Sequence, residues 1–257
     1  MRFSLDPKKK DARCHQRPPR CISGDRAGTL QTRRYLMELT TDSQSSEAPM
    51  ITIGTLAPDF TARTTLGQRS LSDYRGRWLV FFSHPADFTP VCTSEFVTFS
   101  KLFPAFQELN CDLLALSVDS LSSHIAWVLS IKERFDVSVT FPLIEDPSMS
   151  IARAYGMLPP DALDSSTVRA SFVIDPDGVI RAISWYPMSV GRSVAEILRL
   201  VTALQTSDAD AVSTPEGWQS GDPAIEAAPL SLEEAINHQP SAAAPDWYFR
   251  IRDRGAK

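Results

Sequence analysis

Trp78-Leu79-Val80-Phe81-Phe82-Ser83 runs through His84 into Pro85-Ala86-Asp87-Phe88-Thr89-Pro90-Val91-Cys92. The first six residues form an apolar run of strand length, bounded like a strand that is buried on both faces. The residues after Thr89 read as a helix, with Thr89 suited to the N-cap and Pro90 to the first helical position. A strand therefore hands over to a helix whose first turn holds Cys92. Free backbone N–H groups and the positive end of the helix dipole lie there. Such a place favours thiolate over thiol, and the thiolate is the reactive form of a cysteine.

Working outward, Leu113-Leu114-Ala115-Leu116-Ser117-Val118 is the next strand, and strand, helix and strand at this spacing make a parallel βαβ unit. Upstream, Phe60 to Thr64 alternates and Leu66-Gly67-Gln68 signals a hairpin turn. Downstream, a helix is expected over Leu121 to Phe135, with Ile125, Val128, Leu129 and Ile131 as its apolar positions. Phe141 to Ile144 reads as a short strand, and Ser148 to Tyr155 as a short helix closed by Gly156. Ala170–Asp175 and Val179–Trp185 flank Pro176-Asp177-Gly178, a strong hairpin signal. Ser193 to Leu204 is an amphipathic helix with Ile197, Leu198, Val201 and Leu204 facing inward. This order predicts an α/β, thioredoxin-like fold, with a central mixed sheet flanked by helices.

From about Thr206 the character changes. Pro215, Gly217, Gly221, Pro223, Pro229 and Pro240 break up any long element. One short helix is expected from Leu232 to Asn237, where Ser231 and Glu234 form a capping box. The expected organisation is a basic, disordered tail over residues 1–49, a thioredoxin-like domain over 50–205 and an irregular extension over 206–257 associated with a dimer.

The tail carries ten Lys or Arg against four acids up to Thr41 and lacks the apolar core of a secretory signal. It reads as a disordered tail, or as sequence upstream of a true start at Met37 or Met50. An organellar transit peptide is a third reading, weakened by the acids and prolines. Cys14, His15 and Cys21 lie here, without an evident fourth ligand for a metal.

With 257 residues, the chain has room for one good-sized domain plus appendages. Its net charge of -5 argues against a general nucleic-acid binder, and no apolar run reaches the roughly 18 residues of a membrane span. Four irregularly spaced cysteines make neither a disulfide framework nor a zinc site. No cofactor and no metal are expected. A reducing, cytoplasmic setting suits a working thiol, which must be regenerated.

Pro85-x-x-x-Thr89-x-x-Cys92 after the Phe-Phe-Ser-His-Pro run resembles the active-site motif of the peroxiredoxins, the cysteine-based peroxidases. Thr214-Pro215-Glu216-Gly217-Trp218 with Gly221-Asp222 resembles the C-terminal extension of their one-cysteine subclass. The resemblance runs from about Met50 to the C-terminal region. It implies a thiol peroxidase that reduces hydrogen peroxide and organic hydroperoxides, assembled as a homodimer or larger. Cys92 is then the peroxidatic residue. Arg169, in Val168-Arg169-Ala170-Ser171-Phe172, matches the family's second signature and reaches the cysteine; an arginine keeps its proton and steadies both thiolate and leaving oxygen. Thr89 has two readings, a helix cap and a hydrogen-bond partner for peroxide. Pro85 shapes the turn and shields the sulfur. Glu95 is expected to hold an arginine, Arg169 among the candidates, or to be an ordinary first-turn glutamate. His84 has two readings, a structural histidine packed at the strand end, which is favoured, and a hydrogen-bond partner near the site.

Attack on peroxide leaves a sulfenic acid at Cys92. Cys111 lies 19 residues further on, roughly 28 Å along a straight helix, whereas a disulfide needs a Cα separation below about 7 Å. It reads as packing. No cysteine follows it, so an external thiol or other reductant is expected to close the cycle. Where some one-cysteine relatives carry a lipase-type Gly-Asp-Ser-Trp-Gly motif, this chain has Gly76-Arg77-Trp78-Leu79, so no phospholipase activity is carried over. Thioredoxin-type exchange would need Cys-x-x-Cys, which is missing around Cys92. The alternative is a peroxide sensor or holdase chaperone that uses the same cysteine as a switch.

Overall fold

The computed structural model describes residues 51–158 and 166–253. The expectations for residues 1–49, with Cys14, His15 and Cys21, lie outside the described residues.

The run from Trp78 to Ser83 forms β3 (Trp78–Ser83), in which every residue is buried. Its parallel neighbour is β4 (Cys111–Ser117), in a register that sets Trp78 opposite Cys111 and Ser83 opposite Leu116. On the other side it pairs antiparallel with β6 (Arg169–Ile174), which pairs in turn with β7 (Ile180–Tyr186). β5 (Leu143–Glu145) extends the parallel side, and the hairpin of β1 (Thr61–Thr64) and β2 (Gly67–Ser70) closes that edge. The seven-stranded order is β2-β1-β5-β4-β3-β6-β7, a mixed sheet with the parallel strands at its centre. The turn between β6 and β7 needs the positive φ of Gly178, which glycine adopts without steric cost.

Alternation along β3 divides the core in two, because successive side chains point to opposite faces of a sheet. Val80 and Phe82 meet α1 (Pro90–Glu108), α2 (Leu121–Phe135) and α4 (Val194–Asp210), while Leu79 and Phe81 meet α3 (Ser150–Ala154) on the other face. α1 supplies a stripe at helical spacing: Cys92, Phe96, Phe99, Phe103 and Phe106 are all buried. Phe82 and Phe99 stack with centroids 4.2 Å apart. Each ring taken fully from water contributes about 1.5–3 kcal/mol, so the helix is anchored along most of its length.

Two details depart from the sequence reading. In α2 the buried stripe is His124, Trp127 and Ile131, whereas Ile125 and Leu129 are exposed. The stripe keeps its period but starts on a polar residue that finds partners inside. α4 runs to Asp210, six residues past Leu204, and ends at Ala211 in the left-handed region.

Beyond α4, β8 (Val212–Ser213), β9 (Ala224–Glu226) and β10 (Ile251–Arg252) make a small antiparallel sheet. Trp218 is buried beside it and donates its indole N–H to the Asp222 carbonyl. α5 (Leu232–Ile236) is capped by the Ser231 hydroxyl, which accepts from the Glu234 N–H. No helix among the described residues is long and apolar enough to cross a membrane.

Candidate active site

Pro90 occupies the first position of α1, which places Cys92 in its first turn with no exposed surface. Thr89 stands at the N-cap with extended backbone, but its hydroxyl does not cap the helix. It donates instead to the Ala86 carbonyl at 2.9 Å. The cap expected of Thr89 is therefore absent, which leaves the first-turn N–H groups without a side-chain partner beside the sulfur. The spent hydroxyl proton also leaves its oxygen lone pairs open as acceptors. Pro85 is buried at the end of β3.

Arg169 opens β6, 77 residues after Cys92 in the chain, and the direct pairing of β6 with β3 brings the two together. Its Nη1 lies 3.3 Å from Cys92 Sγ and 3.0 Å from Glu95 Oε2. Its Nε and Nη2 both donate to the Met188 carbonyl, at 3.0 and 2.7 Å. Four contacts thus fix the plane of the guanidinium. Glu95 sits one helical turn after Cys92, on the same buried stripe.

Sequence reasoning missed Arg192. Its backbone N–H and Nε both reach Glu95 Oε1, at 2.7 and 3.0 Å, and Nη2 reaches Oε2 at 2.8 Å. Nη1 donates to the Ala170 carbonyl at 2.7 Å, and the guanidinium lies over the Phe82 ring. Its only local signal is a Gly-Arg-Ser run just ahead of α4. Glu95 is thus shared by two buried arginines. Burial by itself would raise its carboxyl, but the Arg192 hydrogen bonds and charge, aided by Arg169, outweigh that and hold it below the usual carboxylate range.

Because that shift is downward, the stabilisation is whole above the unfolded carboxyl value near 4.3 and is lost as pH falls through the lower folded value. Replacing Glu95 with glutamine should cost about 3 kcal/mol at pH 7, since it leaves buried guanidinium groups underpaired. Urea unfolding at a series of pH values should show the gap to the unsubstituted protein narrowing only below about pH 4.

His84 is fully buried, with Nε2 2.9 Å from Asp87 Oδ1 and Nδ1 unpartnered. Burial pushes its imidazole below the usual range against the opposing pull of Asp87. His84, Asp87 and His124 bring three potential ligand atoms within 4.8 Å of one another. Each Asp87 oxygen engages one of the two rings, so the carboxylate joins the trio by hydrogen bonds.

Cys111 begins β4 and is buried in the core; burial, then the nearby Asp112 charge, pushes its thiol up to about 12. A thiol buried in a core strand just past the far end of α1 fits the packing role expected for it.

The AhpC/TSA family model matches residues 53–183, and the model for the C-terminal domain of 1-Cys peroxiredoxin matches residues 203–242. The chain belongs to the peroxiredoxin family. It is 46% identical over 200 residues to peroxiredoxin 2 of Caldanaerobacter subterraneus subsp. tengcongensis, covering 77% of this chain and 90% of that one. Identity to the peroxiredoxin of Aquifex aeolicus is 45% over 209 residues, covering 77% and 94%. Among solved structures, a yeast mitochondrial 1-Cys peroxiredoxin, whose thiol resolving runs via the glutathione/thioredoxin systems, superposes with a TM-score of 0.69 at 40% identity. That match covers 79% of this chain and 100% of the other. A cysteine-to-serine mutant of peroxiredoxin 6 of Arenicola marina gives a TM-score of 0.71 at 33% identity, covering 80% and 100%. This peroxiredoxin is accordingly a thioredoxin-fold thiol peroxidase.

Proposed function

We propose that Cys92 is the sulfur that reduces peroxide, with Arg169, Thr89 and Pro85 forming the rest of the reacting site. The observation that carries this is the Arg169 Nη1 contact with Cys92 Sγ at 3.3 Å inside a buried charge cluster. Two buried guanidinium groups, Arg169 and Arg192, face one carboxylate, Glu95. A thiolate supplies the missing negative charge. It attacks one peroxide oxygen: the S–O bond forms, the O–O bond breaks, and the electron pair leaves on the second oxygen, which takes a proton as water or alcohol. Cys92 is left as sulfenic acid. Arg169 faces the oxygen on which charge builds, in a water-poor pocket where a fixed donor is worth most. The Thr89 oxygen accepts the peroxide O–H, because its own proton is held by the Ala86 carbonyl. Pro85 keeps water from the sulfur, and Glu95 and Arg192 hold Arg169 in place.

We further propose that an external thiol or other reductant closes the cycle, in a reducing, cytoplasmic compartment. Its support is the distance of Cys111 along the chain and the glutathione/thioredoxin resolution of the yeast relative. Treated with a slight excess of peroxide and no thiol, the protein should gain mass in steps of one oxygen on the Cys92 peptide. Non-reducing gels should show little new disulfide. A stoichiometric disulfide from Cys92 to Cys14 or Cys21 would overturn the one-cysteine cycle.

The assembly we propose is a homodimer in which residues 206–257 pack across the partner, with further assembly open to it. Leu230 is fully exposed, with Leu232 and Ile236 nearly so, around an apolar hollow of about 560 Å³ that Trp247 also lines. Leu230→Asp removes no internal contact, so it should leave the subunit folded while moving the sedimentation coefficient from dimer towards monomer. An unsubstituted protein that sediments as a monomer at micromolar concentration refutes the dimer.

A further inference from the structure

Asp87 lies within the Pro85–Thr89 loop that leads into α1, and its carboxylate meets two buried histidines rather than the groups around Cys92. Oδ1 meets His84 Nε2 at 2.9 Å, at the end of β3, and Oδ2 meets His124 Nδ1 at 2.8 Å, on α2. The second nitrogen of His124 lies 3.1 Å from the Ile144 carbonyl of β5. A carboxylate and a carbonyl are both acceptors only. Asp87 is ionised, because burial would raise its carboxyl but the bonds to His124 and His84 outweigh that and hold it well below the usual range. Beside that charged carboxylate, a neutral His124 would set a ring lone pair against an oxygen lone pair at one of its two contacts. Both of its nitrogens must therefore donate. The neighbouring His84 meets only one acceptor and leaves Nδ1 without a partner, which is the pattern of a neutral ring. Asp119 also acts on His84, and its Oδ2 accepts the Asp87 N–H at 2.9 Å, while the buried Glu145, next to Ile144, accepts the Leu121 N–H at the start of α2.

The loop that this cluster holds has a reason to need holding. Phe88, between Asp87 and Thr89, sits at φ 55 with its ring exposed. The left-handed region is unfavourable for a bulky residue and persists only where its surroundings impose it. One turn beyond His124 on α2, Trp127 donates its indole N–H to Thr93 Oγ1 at 3.3 Å, beside Cys92. α2 thus grips the loop and the first turn of α1 at two points.

We propose that His124 is a buried imidazolium, and that with Asp87 it clamps the Pro85–Thr89 loop and so sets how often the first turn of α1 opens to expose Cys92. Both are positioning residues, and the proposal rests on Cys92 being the reacting sulfur. Cys92 has no exposed surface, so any bulky reagent reaches it only through such an opening. Asp87→Asn is the informative change. The amide still accepts from His84, and its NH2 donates to Nδ1 of a His124 that has dropped one proton, so every hydrogen bond survives in neutral form. Charge-assisted bonds are about twice as strong as neutral ones, so the clamp weakens while the fold stays satisfied.

The test uses full-length protein labelled with 15N-histidine, with His124→Gln to assign the ring. At pH 7 His124 should show two protonated nitrogens, and Asp87→Asn should reduce this to one. Iodoacetamide labelling, read per peptide by mass spectrometry, should quicken about tenfold at Cys92 in Asp87→Asn. Labelling at Cys111, buried in a core strand, should stay at its original rate. A single protonated nitrogen in the unsubstituted protein overturns the imidazolium whether or not the variant folds. Cys92 and Cys111 accelerating together would show general loosening and overturn the clamp. Either result leaves the Cys92 assignment standing, since that fails only if the protein still consumes peroxide with Cys92 replaced.

Discussion

Cys92→Ser should abolish peroxide reduction, leaving consumption at the rate of buffer alone, while Cys111→Ala stays close to the unsubstituted rate. A serine hydroxyl keeps the size of the side chain but supplies no thiolate, so the first bond to oxygen cannot form. Cys111 is expected to be silent because it is sealed in β4 and its thiol is pushed up to about 12. Peroxide consumption per mole of protein, with and without a panel of thiols, measures both. Turnover surviving in Cys92→Ser would remove the basis of the mechanism. A single equivalent consumed even with every thiol present would point to a sensor.

Arg169→Ala should slow the peroxide step far more than a loss of thiolate can account for. A thiol of ordinary pKa, near 8.5, is still about 3% ionised at pH 7, so ionisation controls at most roughly 30-fold in rate. A guanidinium lost from the leaving oxygen removes fixed charge from the transition state, where one donor is commonly worth about 100-fold to 1,000-fold. Stopped-flow rates measured up to pH 9.5 separate the two. If the variant recovers fully at high pH, Arg169 acts only on ionisation and its role at the leaving oxygen is wrong. Arg169→Lys should recover little, because one ammonium cannot engage Cys92, Glu95 and the Met188 carbonyl from fixed directions at once.

What the sequence disclosed here depended on how far apart the interacting residues lie in the chain. Cys92, Glu95, Thr89 and Pro85 share one strand–helix junction, so the local pattern announced them. Arg169 was legible from its place before a strand. Arg192 was not, because it meets Glu95 across 97 residues and its surroundings carry no periodic signal. Residue type leaves the Thr89 hydroxyl two readings, helix cap and peroxide partner, because it fixes only what a side chain can do locally. The nearby Ala86 carbonyl decides what it does here. His124 was overlooked for a related reason. Periodicity ranks positions by hydrophobicity, and a polar residue leads the buried stripe of α2 only because Asp87 and the Ile144 carbonyl await it. The element order, by contrast, follows from alternation and turn chemistry, which are properties of short segments.

The short stretch between β7 and α4 contains none of the reacting groups, yet it closes the site. The Met188 carbonyl fixes Arg169, Arg192 fixes Glu95, and between them Gly191 passes so close that an added Cβ would lie 3.3 Å from a Val91 methyl, next to Cys92. Met188 and Val190 point their side chains at solvent over the same few residues. Mutational drift should therefore be sharply uneven along this connection. Side chains at 188 and 190 are free to change with little effect, because what matters at 188 is a backbone oxygen. Position 191 tolerates only hydrogen without shifting Val91, and a one-residue insertion would misplace both arginines while touching no reacting atom.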